Sequence, residues 1–459
     1  MKENINQMLE EKPLKMLFKL GIPAILMALF NEINGAIDTM FMGQFVASEA
    51  VSAMSVAVPF LLIIAAISFL FTEGAGIAIS RYLGAKNIDA ASRIFNGTIV
   101  ISISSSVVIG VISFLFMKNI LYLFNLDIIT YGYALQYLKV IAIAMPIIVL
   151  PMVLGKMIYT EGHTKFLIKV TVIQILSNII LNYFTLAILK MGVIGAGIAT
   201  IISFIIQSIL MIKFNLSNEM IVKINSKEFK LTKNYFKEVI PLGMATFVTM
   251  MLLALTFGLE SRVIASFGDK ALAVQTITGN IFSITSSITS GIMSSALVLM
   301  SYAVGAKNEK RFFNLVKISA AVVFILSLIV NIPVFLYPRS IAMIFTDNHE
   351  LIQLFVYPAT IYSLVSPFIF TTNIVLYAMQ PVGLEKSATI IFALQQLIFF
   401  APLLYILKPF GFNYAILAQP TAEVIGGIIT LFIIPIFIKN VKKTFRDSEI
   451  SEITNSRVS

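Results

Sequence analysis

The sequence predicts an all-α integral membrane protein: twelve transmembrane helices in two parallel-repeat six-helix bundles. Three observations carry this. Of 459 residues, 58% are hydrophobic and only 12% are charged, whereas soluble domains carry about 25% charged residues. Twelve stretches are long and apolar enough to cross a bilayer, which takes about 20 residues. The tetrapeptide GAKN occurs at 84–87 and again at 305–308, and the same offset pairs Ala50 with Ala271, Ser80 with Ser301, Pro146 with Pro367 and Gly162 with Gly383.

The first six spans are expected near 15–42, 51–79, 94–117, 132–159, 166–189 and 193–213. The second six are expected near 239–266, 271–302, 313–336, 352–379, 387–407 and 412–438. Six is even, so both halves start on the same side of the membrane, as in the parallel repeats of secondary transporters. The expected domains are an N-terminal lobe (1–214), a polar linker (215–238), a C-terminal lobe (239–438) and a tail (439–459) that is polar and disordered at its end. The linker is expected to form part of an amphipathic surface helix.

Orientation follows from the basic residues. With both termini cytoplasmic, 26 of the 33 Lys and Arg residues fall inside and 7 outside, the bias of a bacterial inner-membrane protein. The net charge of +10 is then explained by loops beside anionic lipid, and no nucleic-acid partner is expected. Membrane lipids are. The N-terminus mixes Glu3, Glu10 and Glu11 with its lysines and does not look like a cleavable signal.

Zero cysteines exclude disulfides, Cys-ligated zinc and iron–sulfur clusters. His163 and His349 are too few and too far apart for a metal motif. Walker A, GxSxG and HExxH sequences are all missing, so the chain is not expected to be an enzyme. Transport energy would have to come from an ion gradient.

Carboxylates within spans are costly and therefore functional candidates. They are Glu32, Asp38, Glu73, Glu260 and Glu423, accompanied by amides that include Asn34, Asn178, Asn182, Gln275, Asn373, Gln395, Gln396 and Gln419. The constant offset sets Asp38 against Leu259, Asn178 against Phe399 and Asn182 against Leu403. That asymmetry points to a coupling-ion site confined to the first lobe.

The segments INGAIDTMFMG, ISRYLGAKN, SNIILN with GAGIAT, and AILAQPTAE together resemble the MATE family (multidrug and toxic compound extrusion transporters), over essentially the whole chain. For its prokaryotic DinF-like members the resemblance implies a cation site in the N-terminal lobe. Asp38 matches the aspartate of helix 1, Asn178 the asparagine of helix 5 and Thr200 the threonine of helix 6. Asn182 stands where the resemblance implies a second aspartate, so one of two carboxylates is missing. Residues 178 and 182 share a helix face.

The expected function is cation-coupled efflux, with Na⁺ or H⁺ as the coupling ion, no cofactor, and small organic, cationic or amphipathic compounds as cargo. Glu32, Glu260 and Glu423 are further acidic candidates for cargo or a secondary site. A monomer is expected. The alternative is a flippase for lipid-linked oligosaccharides, which would need several Arg and Lys within the spans to hold pyrophosphate. Only Lys139 and Lys156 come near, at span ends.

Overall fold

Twelve long helices follow one another along the chain, and in this computed structural model no strand occurs among the described residues, which are 2–122, 126, 128–345 and 348–458. A short helix, Lys2–Glu10, precedes them. The first six are α1 (Pro13–Phe45), α2 (Ser48–Gly84), α3 (Ile88–Tyr122), α4 (Ile128–Thr160), α5 (Thr164–Asn182) and α6 (Gly192–Asn215). The second six are α7 (Lys233–Ala265), α8 (Asp269–Gly305), α9 (Glu309–Leu336), α10 (His349–Met379), α11 (Glu385–Ala393) and α12 (Ala418–Val458). The helices α1–α4, α6 and α8–α10 contain their expected spans and most overrun them, while α7 ends one residue early. The fifth and eleventh spans run on beyond α5 and α11 through further helical turns to Ile188 and Phe410, and the twelfth begins before α12, at Phe412. With no water in the hydrocarbon to take backbone N–H and C=O groups, the helix satisfies them all within the segment.

The repeated GAKN has a local reason. Lys86 and Lys307 both take the left-handed backbone conformation, with φ of 57° and 54°, which ends α2 and α8. The following asparagine then caps the next helix. Asn87 Oδ1 accepts from the Ala90 N–H at 3.1 Å, and Asn308 Oδ1 accepts from the Arg311 N–H at 2.9 Å.

Two compact units form. One comprises Met1–Ile5, Leu26–Leu83 and Asn87–Gly243, the other Asn6–Ile25, Gly84–Lys86 and Met244–Ser459. In the first, α7 begins against α2 and α3. A Cβ on Gly243 would collide with the Leu70 carbonyl, the Tyr82 hydroxyl donates to Glu238 at 2.7 Å, and the Tyr235 and Thr98 hydroxyls lie 3.0 Å apart. In the second, the start of α1 lies against α8. The Ser295 hydroxyl donates to the Leu17 carbonyl at 3.4 Å, and a Cβ on Gly291 would sit 2.6 Å from the Ile25 nitrogen. Small residues permit such close helix approach in membranes.

The linker differs from expectation. Between Leu216 and Thr232 the one helical turn is the short Ser226–Glu228 segment, and the linker's last residues, Lys233–Glu238, are the first turns of α7. Side chains of the first unit satisfy its backbone instead. Glu161 accepts N–H groups of Ile221 and Val222 at 2.8 Å each. Asn215 accepts from Ile224 at 2.8 Å and donates to Val222 at 3.1 Å, and Asn96 accepts from Asn225 at 2.9 Å. Met220 and Val222 are fully buried beside these bonds. The tail also differs: charged residues with good helix propensity carry α12 on to Val458.

Candidate functional site

In the first unit Asp38 is half-buried on α1. Asn182 Nδ2 donates to Asp38 Oδ1 at 2.6 Å and to Asn178 Oδ1 at 3.1 Å. Asn34, one turn before Asp38, donates to its other oxygen at 3.5 Å. Asn178 and Asn182 are fully buried, at 0% and 1% exposure. Around them pack Phe41, Met42, Tyr137, Leu186 and Ala196, with Ile37 and Ile179 alongside. An anion in so apolar a setting is held by donor groups or not at all.

Local backbone geometry sets up the cluster. Directly after Asn182 the helix widens into a π-helical stretch, Tyr183–Ile188, a feature that recurs at functional sites. The Thr185 hydroxyl within it reaches the Gly195 carbonyl of α6 at 3.0 Å. Gln174 donates to the Ser203 hydroxyl at 3.2 Å, tying α5 to α6 a second time.

Three of the four coupling candidates, Asp38, Asn178 and Asn182, are thereby joined. Thr200 donates to the Ala196 carbonyl of its own helix at 3.0 Å, and no hydrogen bond among the described residues joins it to Asp38. Glu32 is exposed on α1 and is not bonded to Asp38 either. Glu73 pairs with Lys156 at 2.5 Å, so its charge is compensated.

The second unit holds its own acids. Glu260 faces Gln275 and feels the charge of Glu423. Glu423 accepts from Gln419 at 2.6 Å. The Tyr362 hydroxyl, close to both acids, donates to the Ile416 carbonyl at 3.2 Å. Beside them lies a cavity of about 310 Å³, whose wall includes Thr249, Phe282, Ser290, Asn373, Gln396 and Glu423. A second π-helical stretch, Leu394–Phe400, presents Gln395 and Gln396 there, and Gln396 Oε1 has no hydrogen-bond partner.

These contacts correct the register of the repeat. Leu17 meets Ser295 in one unit, and Val239 meets Gly74 in the other. Gly21 meets Ile292, and Gly243 meets Leu70. Leu17 matches Val239 and Gly21 matches Gly243, so α1 and α7 are related by 222 residues, not 221. The sequence agrees once this is applied: Leu20-Gly21 matches Leu242-Gly243, and Phe45 matches Phe267. One extra residue before Ala50 restores the offset of 221. The equivalent of Asp38 is therefore Glu260, and Thr39 matches Ser261. The pairing with Leu259 was wrong because it carried one offset across an insertion. The one-sided asymmetry holds for Asn178 and Asn182 but not for the carboxylate.

Sequence reasoning gave no weight to Tyr137, Tyr362 or Glu161. Tyrosines in apolar helices carry no pattern that marks them. Glu161 sits between α4 and α5, where a loop acid looks ordinary. Folded, it is 1% exposed; burial pushes its carboxyl up to about 7, against the lowering effect of the Ile221 and Val222 N–H groups. His163 Nε2 lies 3.9 Å from it. No cluster of three or more His, Asp or Glu residues able to hold a metal occurs among the described residues.

Comparison with known proteins places the chain. It is 26% identical over 435 residues to the multidrug export protein MepA of Staphylococcus haemolyticus, covering 93% of this chain and 94% of that one. It is 24% identical over 450 residues to MepA of Staphylococcus aureus strain MSSA476, covering 96% and 98%. Among solved structures, a MATE protein in a bent conformation superimposes with a TM-score of 0.89 at 19% identity, over 97% of this chain and 99% of that one. An outward-facing multidrug resistance MATE transporter gives 0.87 at 17%, over 95% and 98%. The MatE family model matches residues 23–184 and 245–406, one match in each half of the repeat, and the chain belongs to that family.

Proposed function

We propose that the protein is a cation-coupled antiporter that exports organic, cationic or amphipathic compounds across a bacterial inner membrane, with both termini and the linker cytoplasmic. The observation that carries this reading is the intramembrane carboxylate of Asp38, held between α1 and α5 by the carboxamides of Asn34 and Asn182. An ionised acid there is expensive. A cation or proton that neutralises it changes the relative free energy of any two conformations that bury it differently, and such differential binding is what drives a transport cycle.

The MepA relatives are named multidrug export proteins, which supports the direction and breadth of transport. The cavity of the second unit supports the cargo class. Glu423 offers one negative charge, Phe282 and Phe370 offer aromatic faces, and the hydroxyl and amide groups offer hydrogen bonds. Such a lining suits a flat organic cation.

The test is transport in inverted vesicles. A cationic dye should accumulate when an H⁺ or Na⁺ gradient is imposed and stay out without one. Movement of lipid-linked sugars with no movement of any organic cation would establish the flippase instead.

A further inference from the structure

We propose that the Asn182 carboxamide selects the coupling ion: it fills the place of a bare cation while Asp38 is ionised, and it turns over when Asp38 takes up a proton. The coupling ion is then H⁺, and Na⁺ is shut out. This deepens the antiport reading and rests on it.

One nitrogen, Asn182 Nδ2, serves two acceptors, Asp38 Oδ1 at 2.6 Å and Asn178 Oδ1 at 3.1 Å. A positively polarised NH₂ group therefore occupies the point between two oxygens where a cation would bind. The other ends of these amides, Asn182 Oδ1 and Asn178 Nδ2, are buried and have no hydrogen-bond partner among the described residues. No bond outside the cluster fixes which way either amide points.

The reversed arrangement makes the same number of bonds. With both amides turned, Asn182 Oδ1 accepts from Asn178 Nδ2 and faces Asp38. Two oxygens at that separation repel unless one carries a hydrogen, and protonated Asp38 supplies it. A separation of 2.6 Å is ordinary for O–H···O, which spans about 2.5–3.0 Å. The proton arrives at an Asp38 oxygen from the aqueous side and departs from the same atom; no other covalent bond changes. Each amide orientation thus matches one protonation state, and the balance between them is set by the proton.

A metal cation fits neither arrangement. Oxygen ligands of a hard cation of about calcium's size stand roughly 2.4 Å away. Two of them at right angles are then about 3.4 Å apart, wider than the pocket between Asp38 and Asn182. Both asparagines are buried on one helix. The site also holds one carboxylate, and Thr200 already donates to its own helix. The groups facing Asp38 are Asn34 on its own helix, Asn182 on α5 and the buried phenol of Tyr137 on α4. Asp38 is the one carboxylate among them, and no Lys or Arg among the described residues pairs with it.

The full-length protein in lipid nanodiscs tests this. Infrared difference spectra across a pH titration should show a protonated-carboxyl band and a side-chain amide change appearing together, both lost in Asp38→Asn. Exchanging choline for Na⁺ at constant ionic strength should leave wild-type thermal stability unchanged. In Asn182→Asp it should raise stability, with an Na⁺ Kd at least about tenfold lower. In vesicles, a pH gradient alone should drive wild-type dye transport and an Na⁺ gradient alone should not. Stabilisation of the wild type by Na⁺, or a carboxyl band that titrates with no amide change, would overturn the proposal. Failure of dye to move under either gradient would sink the antiport reading, while the spectra and the Na⁺ arm still decide the role of the amide. Both wild-type measurements stand even if Asn182→Asp does not fold.

Discussion

Glu161 and Asp38 are both acids held by amide N–H groups, but they hold different things. The oxygens of Glu161 fasten backbone at 2.8 Å on each side, and its neighbour His163 is 3.9 Å away. Its carboxyl is raised from 4.5 to about 7, with burial the dominant cause. An acid raised in the folded state favours folding most at low pH. That contribution is complete below about 4.5 and is lost as the pH rises through about 7. Thermal stability of the purified protein should fall between about pH 5 and pH 8, and Glu161→Gln should flatten that part of the profile. An unchanged slope would remove Glu161 from the account. Asp38→Asn should behave differently. The amide is nearly isosteric and relieves a burial cost, so expression and melting should stay near wild type while coupled transport drops by at least about tenfold, measured as dye flux in vesicles. At this scale Asp38 and Asn182 could be found from sequence because intramembrane polarity stands out against an apolar background. Glu161 could not, since its burial depends on a chain segment 60 residues away.

Among the helices, the close approaches rest on glycine. At Gly243 a Cβ would meet the Leu70 backbone carbonyl, which cannot step aside. Gly279 on α8 has open space where its Cβ would lie. Gly243→Ala should therefore cost about 1–3 kcal/mol, read as a lowered melting temperature, while Gly279→Ala should be neutral or slightly stabilising. Equal effects would mean that α2 and α7 do not pack this closely. The spans themselves were legible from hydropathy, because twenty apolar residues admit few other structures. The linker was not. Its alternation of polar and apolar residues suits a surface helix, but Asn96 on α3, Glu161 between α4 and α5, and Asn215 at the end of α6 offer its N–H groups better partners, and the backbone follows them. The π-helical stretches at 183–188 and 394–400 also escaped notice, since one added residue per turn leaves no mark on composition.

For the whole molecule, the charge split predicts that reporter fusions at Ser226 and near the C-terminus both read cytoplasmic. An external reading at either position would contradict an even number of spans per half. The repeat was visible in sequence from α2 onward, where GAKN fixed the register. It was misjudged in α1, because a single inserted residue leaves hydropathy untouched and shows only when the packed pairs are compared.

The packing of the chain's start has a consequence for its synthesis. Arg311 donates to the Met8 and Glu11 carbonyls at 2.6 and 2.9 Å, and Ser295 reaches back to Leu17. These partners lie 303, 300 and 278 residues further along the chain. A ribosome adding about 5–20 residues per second takes roughly 15–60 seconds to deliver them. Throughout that time α1 shows its Gly21 face to lipid or to the insertion machinery, with its own docking surface still unmade. Truncated nascent chains ending before Ser295 should therefore crosslink from position 21 to insertase or lipid, and chains extended past Arg311 should lose that crosslink. α1 is made long before it can be locked, which makes the closing of the second unit a late event in biogenesis, however early α1 is inserted.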